Sequence, residues 1–301
     1  LYKHNDVPTY NNYGGLGLIQ MPNARFHPEG TLALSWSHNE PYINGSVIAY
    51  PFSWLEASYF YTDINNALYS DNPDFSGNQS YKDKGFDVKI RLLEESDSLP
   101  QIAVGARDLA GTATFSSEYI ALSKKYNNFD FTFGMGWGTL SGNKIKNPFE
   151  YIDDSFKSRN EVLSDTQGGE VSFDRLFSGP AGLFGGVEIV LPNLKGTRLK
   201  IEYDGTDYKE EGFPYGRQSF TFAYKPVKQP NSKFNYGFVY PVNKNLHLKL
   251  SYTKGNTINF GFSLAADFGS KSFVKKKDPM VPVQYSEVVK DVNSREDIYF
   301  Y

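Results

Sequence analysis

Two carboxylates, Glu202 and Asp207, and a histidine near a serine, His247 and Ser251, are the pairs here whose types and spacing invite acid–base or nucleophilic chemistry. Glycoside hydrolysis needs two carboxyls facing each other across about 5–10 Å. Residues five apart in an extended segment point to opposite faces, so Glu202 and Asp207 do not meet that need. His247 and Ser251 share a face, but four strand residues separate them by about 13 Å, too far for a nucleophile–base hydrogen bond. His4, His27 and His38 show no metal-ligand spacing, and the absence of cysteine removes thiolate ligands and nucleophiles. The expectation is a non-enzymatic chain with no metal and no cofactor.

The remaining chemistry is spread along strands. In TRLKIEYDGTDY, residues 197–208, Arg198, Lys200, Glu202 and Asp204 fall on one face, and Leu199, Ile201 and Tyr203 on the other. Lys89 and Arg91 likewise oppose Val88, Ile90 and Leu92, Arg107 lies on the polar side of 102–108, and His247 and Lys249 oppose Leu246, Leu248 and Leu250. Arg and Lys donate to sugar hydroxyls and pair with uronic carboxylates, so these faces could line a wet lumen and contact a glycan. The plainer reading is mutual neutralisation across neighbouring strands, about 0.2–1 kcal/mol per pair.

The elements that must position these residues read as β-strands. Period-two alternation marks 31–39, 42–50, 54–63, 86–94, 102–108, 119–125, 129–137, 183–191, 197–208, 218–225, 234–240, 246–253 and 257–267. Phe129, Phe131, Phe133, Met135 and Trp137 facing Asp130, Thr132, Gly134 and Gly136 are the cleanest case. Aromatics are 16% of a chain whose mean hydropathy is −0.48, which suits strands better than helices. Net charge of −3 excludes a global basic field, hence no nucleic-acid partner is expected. No stretch approaches the roughly 20 apolar residues of a membrane helix, which leaves barrel strands untouched.

Tight connections (51–53, 127–128, 192–196, 241–245, 255–256) alternate with long polar ones (64–84, 138–180, 205–216) until Lys225, after which three short ones follow. Outer-membrane barrels are built this way, with short periplasmic turns and longer external loops. Aromatics near strand ends (Tyr50, Phe52, Trp54, Tyr126, Tyr240) fit interfacial girdles. The expected fold is all-β, an antiparallel transmembrane barrel of about 12–14 strands. Thirteen strands would be odd where an even number is normal, and 14–21 is the first suspect for another. A soluble periplasmic all-β carbohydrate-binding module is the alternative. Residues 138–180 carry Tyr151, Asp153, Asp154, Arg159, Asp174 and Arg175 among aromatics; a connection this long could fold inward as a constriction or remain a solvated loop.

At Gly14 the chain reads GGLGLIQMPNARFHPEG, and further on FGGVE at 184–188 and LKIEYDGTDY at 199–208. Through Gly14, Gly15, Gly17, Pro22, Ala24, Arg25, Gly185, Gly186, Glu188, Tyr203, Asp207 and Tyr208, it resembles the YjbH/GfcD family of exopolysaccharide and capsule proteins. The resemblance implies an outer-membrane barrel assisting export of a surface polysaccharide, with outer-membrane lipids, that polysaccharide, and periplasmic or lipoprotein components as partners. It also implies that family members carry a second barrel-like half. The organisation expected is a Gly-rich motif segment at 1–30, the barrel at 31–268, and a periplasmic linker opening a further domain at 269–301. The motif at 14–25 could plug the lumen, sit at its mouth, or simply permit a tight entry into the first strand.

Overall fold

The computed structural model describes residues 7–70, 72–112, 114–160, 173–209 and 227–269. The chain divides after Ser270, and everything described lies in the first unit. The segment beyond Gly269 and the strand expected at 218–225 lie outside the described residues.

Among the described residues twelve strands form one closed ring. They are β1 (Thr31–Asn39), β2 (Tyr42–Phe52), β3 (Leu55–Leu68), β4 (Ser80–Leu93), β5 (Gln101–Arg107) and β6 (Ser117–Tyr126). The second half comprises β7 (Phe129–Gly136), β8 (Gly182–Leu191), β9 (Thr197–Tyr203), β10 (Phe234–Pro241), β11 (Leu246–Thr253) and β12 (Thr257–Asp267). Each strand pairs antiparallel with its sequence neighbours, and β1 pairs β12 from Thr31↔Asp267 to His38↔Phe260. Closure leaves no sheet edge unpaired.

The expectation of 12–14 strands therefore resolves to an even twelve. β9 pairs directly with β10, so no wall strand intervenes between them. Residues 14–21, suspected as an additional strand, belong to the interior instead. The strand expected over 197–208 stops at Tyr203, where the Asp204 side chain accepts from the Thr206 amide (2.8 Å) and the Tyr208 hydroxyl (2.5 Å). Those bonds turn the chain out of the ladder.

Connections sort by end. Residues 53–54, 94–100, 127–128, 192–196 and 242–245 join strands at what we call the turn end, where β1 begins and β12 finishes. Residues 69–79, 108–116, 137–181 and 204–233 span the opposite, loop end, together with the tight links 40–41 and 254–256. After Lys225 the expected alternation thus breaks in length but not in side.

Alternation decides the two faces of the wall. Phe129, Phe131, Phe133, Leu199, Ile201, Leu248, Leu250, Phe260 and Phe262 point outward and stay exposed, Phe133 at 56%. Between them, Thr132, Lys200, Glu202, Lys249, Ser251 and Asn259 point inward and are buried. These inward side chains are buried because residues 8–26 fill the interior. Tyr10, Leu16, Leu18, Met21, Ala24 and Phe26 of that segment form one apolar cluster with Ala33, Ile48, Tyr50, Ala103, Tyr119, Ala121, Leu140 and Phe184 of the wall and its rim. Small wall residues such as Ala33, Ala103 and Ala121 leave the volume that the segment's larger side chains take.

Candidate functional site

The site is this occupied lumen. Residues 8–26 run up from the turn end and fold back, with bridges Tyr10↔Leu16 and Gly17↔Pro22 and the Asn12 amide donating to the Ile19 carbonyl (2.8 Å). Two glycines make the fold-back feasible. Gly14 has φ of +114°, and a Cβ there would lie 2.2 Å from Ser46 Oγ. A Cβ on Gly17 would lie 2.2 Å from the Met21 carbonyl oxygen.

Wall charges hold this segment by its main chain. The Glu202 carboxylate accepts from the Ile19 (2.7 Å), Gln20 (2.9 Å) and Met21 (2.9 Å) amides and from Asn235 Nδ2 (2.8 Å). Beside it, Lys200 Nζ donates to the Gly17 and Leu18 carbonyls, both at 2.7 Å, and pairs with Glu188 at 3.3 Å. Lys249 donates to the Asn11 carbonyl (2.8 Å) and Arg107 to that of Gln20 (2.8 Å). Arg198 pairs with Glu188 (3.1 Å) and donates to the Val7 carbonyl, while Thr9 donates to Glu188. Glu56 accepts from Lys89 (3.0 Å) and Tyr50 (2.6 Å). Each charge sits where its strand's alternation turns it inward, and each meets a dipole or an opposite charge, as burial demands.

At the turn end the segment is anchored by Arg25, whose guanidinium pairs with Asp130 (2.7 Å) and with Glu95 and also donates to Gln101 (3.2 Å). Partial burial works to raise the Glu95 pKa, but the Lys125 amide and Arg25 outweigh it and hold this turn carboxyl below its ordinary range. A cavity of about 440 Å³ opens here, lined by Val7 and Pro8 on one leg of the segment, Arg25 and Phe26 on the other, and Arg91, Glu94 and Asp130 of the wall and turns. That is within the size range of ligand sites. Just beyond, His27 lies between Tyr10 (5.4 Å) and Tyr50 (5.2 Å); burial first, then nearby His247 and Lys89, push its pKa down to about 3.

The remaining expected residues scatter more widely. Arg91 lies near Glu94 (3.4 Å) and Ser53 (3.3 Å), and its guanidinium sits over Phe26. His247 is buried on the inward face, and Ser251 on the same face accepts from Asn12 (3.3 Å). Asp204 also takes Asn235 (2.9 Å), Asp207 pairs with Lys144 (3.3 Å), and Tyr203 turns outward against Phe234. Ala24 donates its amide to Ser123, and Gly186 would place a Cβ 2.8 Å from Leu18 Cδ1. Gly15 and Pro22 sit in the same fold-back, whereas Gly185 lies opposite the outward Phe133 and Tyr203, where a Cβ would meet the Thr132 carbonyl of the neighbouring strand at 2.7 Å.

In the long connection Tyr151, at 80% exposure, Asp153 and Asp154 are exposed. Arg159 grips Glu118 through two bonds (2.7 and 2.9 Å) and takes the Arg175 carbonyl, while Arg175 Nε donates to the Asn160 carbonyl (2.8 Å). Phe149 and Phe177 pack on Trp137 at 5.4 and 5.1 Å, and Glu118 and Trp137 share their strands' outward parity. Of Asp174 only the backbone lies within the described residues. Among the described residues, 8–26 narrow the lumen. Glu56, Glu95, Glu118 and Asp130 escaped the sequence reading of the site, although each pairs with a basic residue that it named: Lys89, Arg25, Arg159 and again Arg25. No group of three or more His, Asp or Glu among the described residues is placed to hold a metal ion.

Residues 9–297 match the family described as "Exopolysaccharide biosynthesis protein YbjH". Over 263 residues the chain is 44% identical to the "Uncharacterized lipoprotein YjbH" of Escherichia coli (strain K12), covering 87% of this chain. It spans 35% of that relative's length. Among solved structures, a KdgM porin aligns with 79% of this chain and 99% of its own at TM-score 0.39 and 9% identity. A NanC porin aligns with 78% of this chain and 97% of its own at TM-score 0.34 and 9% identity. With the family matched over nearly the whole sequence, the chain belongs to the YjbH exopolysaccharide biosynthesis family.

Proposed function

We propose that this chain is an outer-membrane barrel that assists secretion or assembly of an exopolysaccharide or capsule without catalysing a reaction. The observation that carries the reading is a closed ring with an exposed apolar outer face and a charged, hydroxyl-rich inner one. Contiguous apolar surface on that scale is rare on proteins surrounded by water and is what hydrocarbon requires. Outer-membrane lipids are then the outer partner. Short turns face the periplasm, where periplasmic or lipoprotein components of the same system meet the Arg25 end. The inward set Lys89, Arg107, Arg198, Lys200, Glu202 and Lys249 provides the groups that meet a glycan, and Tyr151 and Asp153 at the loop end provide its exit surface.

The test is genetic and physical. Cells lacking the chain should lose most of the surface polysaccharide, measured by sugar analysis of the released polymer, and the purified chain should aggregate when detergent is withdrawn. Normal polymer output from those cells would sink the export role. A monodisperse, folded chain in plain buffer would instead favour the soluble carbohydrate-binding module.

A further inference from the structure

We propose that residues 7–26 are a displaceable plug, and that the seat they occupy is a binding path for a hydroxyl-rich polymer once the plug withdraws. This rests on the barrel reading above and deepens it.

Three observations lead there. The first is what holds the segment. Glu202 collects three consecutive main-chain amides, and Lys200, Lys249 and Arg107 take main-chain carbonyls. Such groups need only a donor or acceptor of the right polarity, and a sugar hydroxyl supplies both. The plug's backbone therefore occupies positions that a saccharide satisfies equally well.

The second is the wall behind it. Ser35, Ser46, Thr62, Ser123, Thr132 and Asn259 are buried on the inward face among these charges. Buried lysines and glutamates are costly, and a permanent filling would be stabler on an apolar wall. A wall of hydroxyls, amides and charges suits water and sugar when the filling leaves. The apolar cluster around Leu16, Leu18 and Met21 covers part of the plug and favours the closed state at rest.

Topology is the third. Both legs of the plug, Val7–Pro8 and Arg25–Phe26, line the same cavity at the turn end, while Tyr13 at its tip lies beside Phe115 in a loop-end connection. A loop with both feet at one mouth can leave by that mouth without threading the wall. Its hydrogen bonds to the wall run through side chains, so no ladder need open.

Single-channel recording of the full chain in planar bilayers tests this. The wild type is expected to stay closed nearly all the time. The clamp variant, Glu202→Gln combined with Lys200→Met, removes charge-assisted bonds and is expected to raise the open fraction about tenfold or more. The sequence has no cysteine, and Asn12 and Ser251 touch at 3.3 Å, so Asn12→Cys with Ser251→Cys ties the plug to the wall. In the clamp variant this pair should abolish openings until reductant is added. Should the clamp variant not fold, a glycine–serine linker replacing residues 11–24 provides the open form. Maltohexaose, a neutral hydroxyl-rich probe, should interrupt the open current.

Folded clamp and linker variants as silent as the wild type would overturn the gate. So would a tied plug that conducts as freely as the reduced one. Open currents that maltohexaose never interrupts would overturn the saccharide path. The recording reads ions with no cell present, so it can fail while loss of the chain still abolishes secretion, and the reverse also holds.

Discussion

Glu202 illustrates what one residue does here. Its carboxylate satisfies three amides of the fold-back that have no other partner within that turn. Each buried polar group left unpaired costs about 1–3 kcal/mol, so Glu202→Ala should destabilise the folded chain by about 3 kcal/mol or more, read from urea unfolding in detergent micelles. Gly14→Val should destabilise through a different cause, since φ of +114° and the 2.2 Å approach to Ser46 leave no room for a side chain. His27 links the plug to pH. Its folded pKa of about 3 lies below the ordinary 6.5, so the folded state keeps it neutral while the unfolded chain takes up a proton. Stability from this site is complete above about pH 6.5 and is lost as pH falls toward 3. Around it stand Tyr10, Tyr50, Lys89, His247 and Asp267. His27→Phe should flatten that part of the profile of unfolding midpoint against pH, and an unchanged slope would assign the dependence elsewhere.

At the scale of elements, β9 is the instructive one. Its outward Ile201 sits midway along the strand, and Arg in its place should cost about 2–4 kcal/mol if the position lies at the bilayer midplane. Folding into lipid vesicles, followed by tryptophan fluorescence, checks this; the same change costs little on a water-facing wall. Most strands were legible because alternation between Phe, Leu or Ile and polar residues survives along them. β3 and β4 run further than their alternation shows, since Asn65, Asn66, Lys82 and Asp83 break the pattern while their backbones still pair or extend the ladder. The plug was legible only as a motif. Its glycines and turns have no period, so local sequence carries no sign of which wall residues receive it. Period two reveals that a face is polar and says nothing of what fills the space before it. For that reason the alternation of Lys200 and Glu202 allows either a lining that meets a glycan or mutual neutralisation, and does not show that in this structure they close on Gly17 to Met21.

For the whole molecule, the inner charges nearly all meet partners within the fold: Glu188 with Arg198 and Lys200, Glu56 with Lys89, Arg25 with Asp130 and Glu95. A plugged interior thus remains a stable body while keeping a surface fit for water. Arg25→Met should loosen the plug's foot without touching the wall ladder. Limited proteolysis from the turn side should then cut within 8–26 at least several-fold faster, with β1–β12 left intact.

The plug also precedes every wall strand in the chain, whereas its clamp lies in β9. Ile19 and Glu202 are 183 residues apart, and Asn11 and Lys249 are 238 apart. Contacts of such separation form late, because the entropy of closing long loops must be met before they can form. The plug, made before every wall strand, is therefore among the last elements to find its place. Throughout assembly it must be kept from other partners until β12 reaches back to β1. The ring can therefore close at the β1–β12 seam first and receive its filling afterwards, through the mouth where both feet of the plug lie.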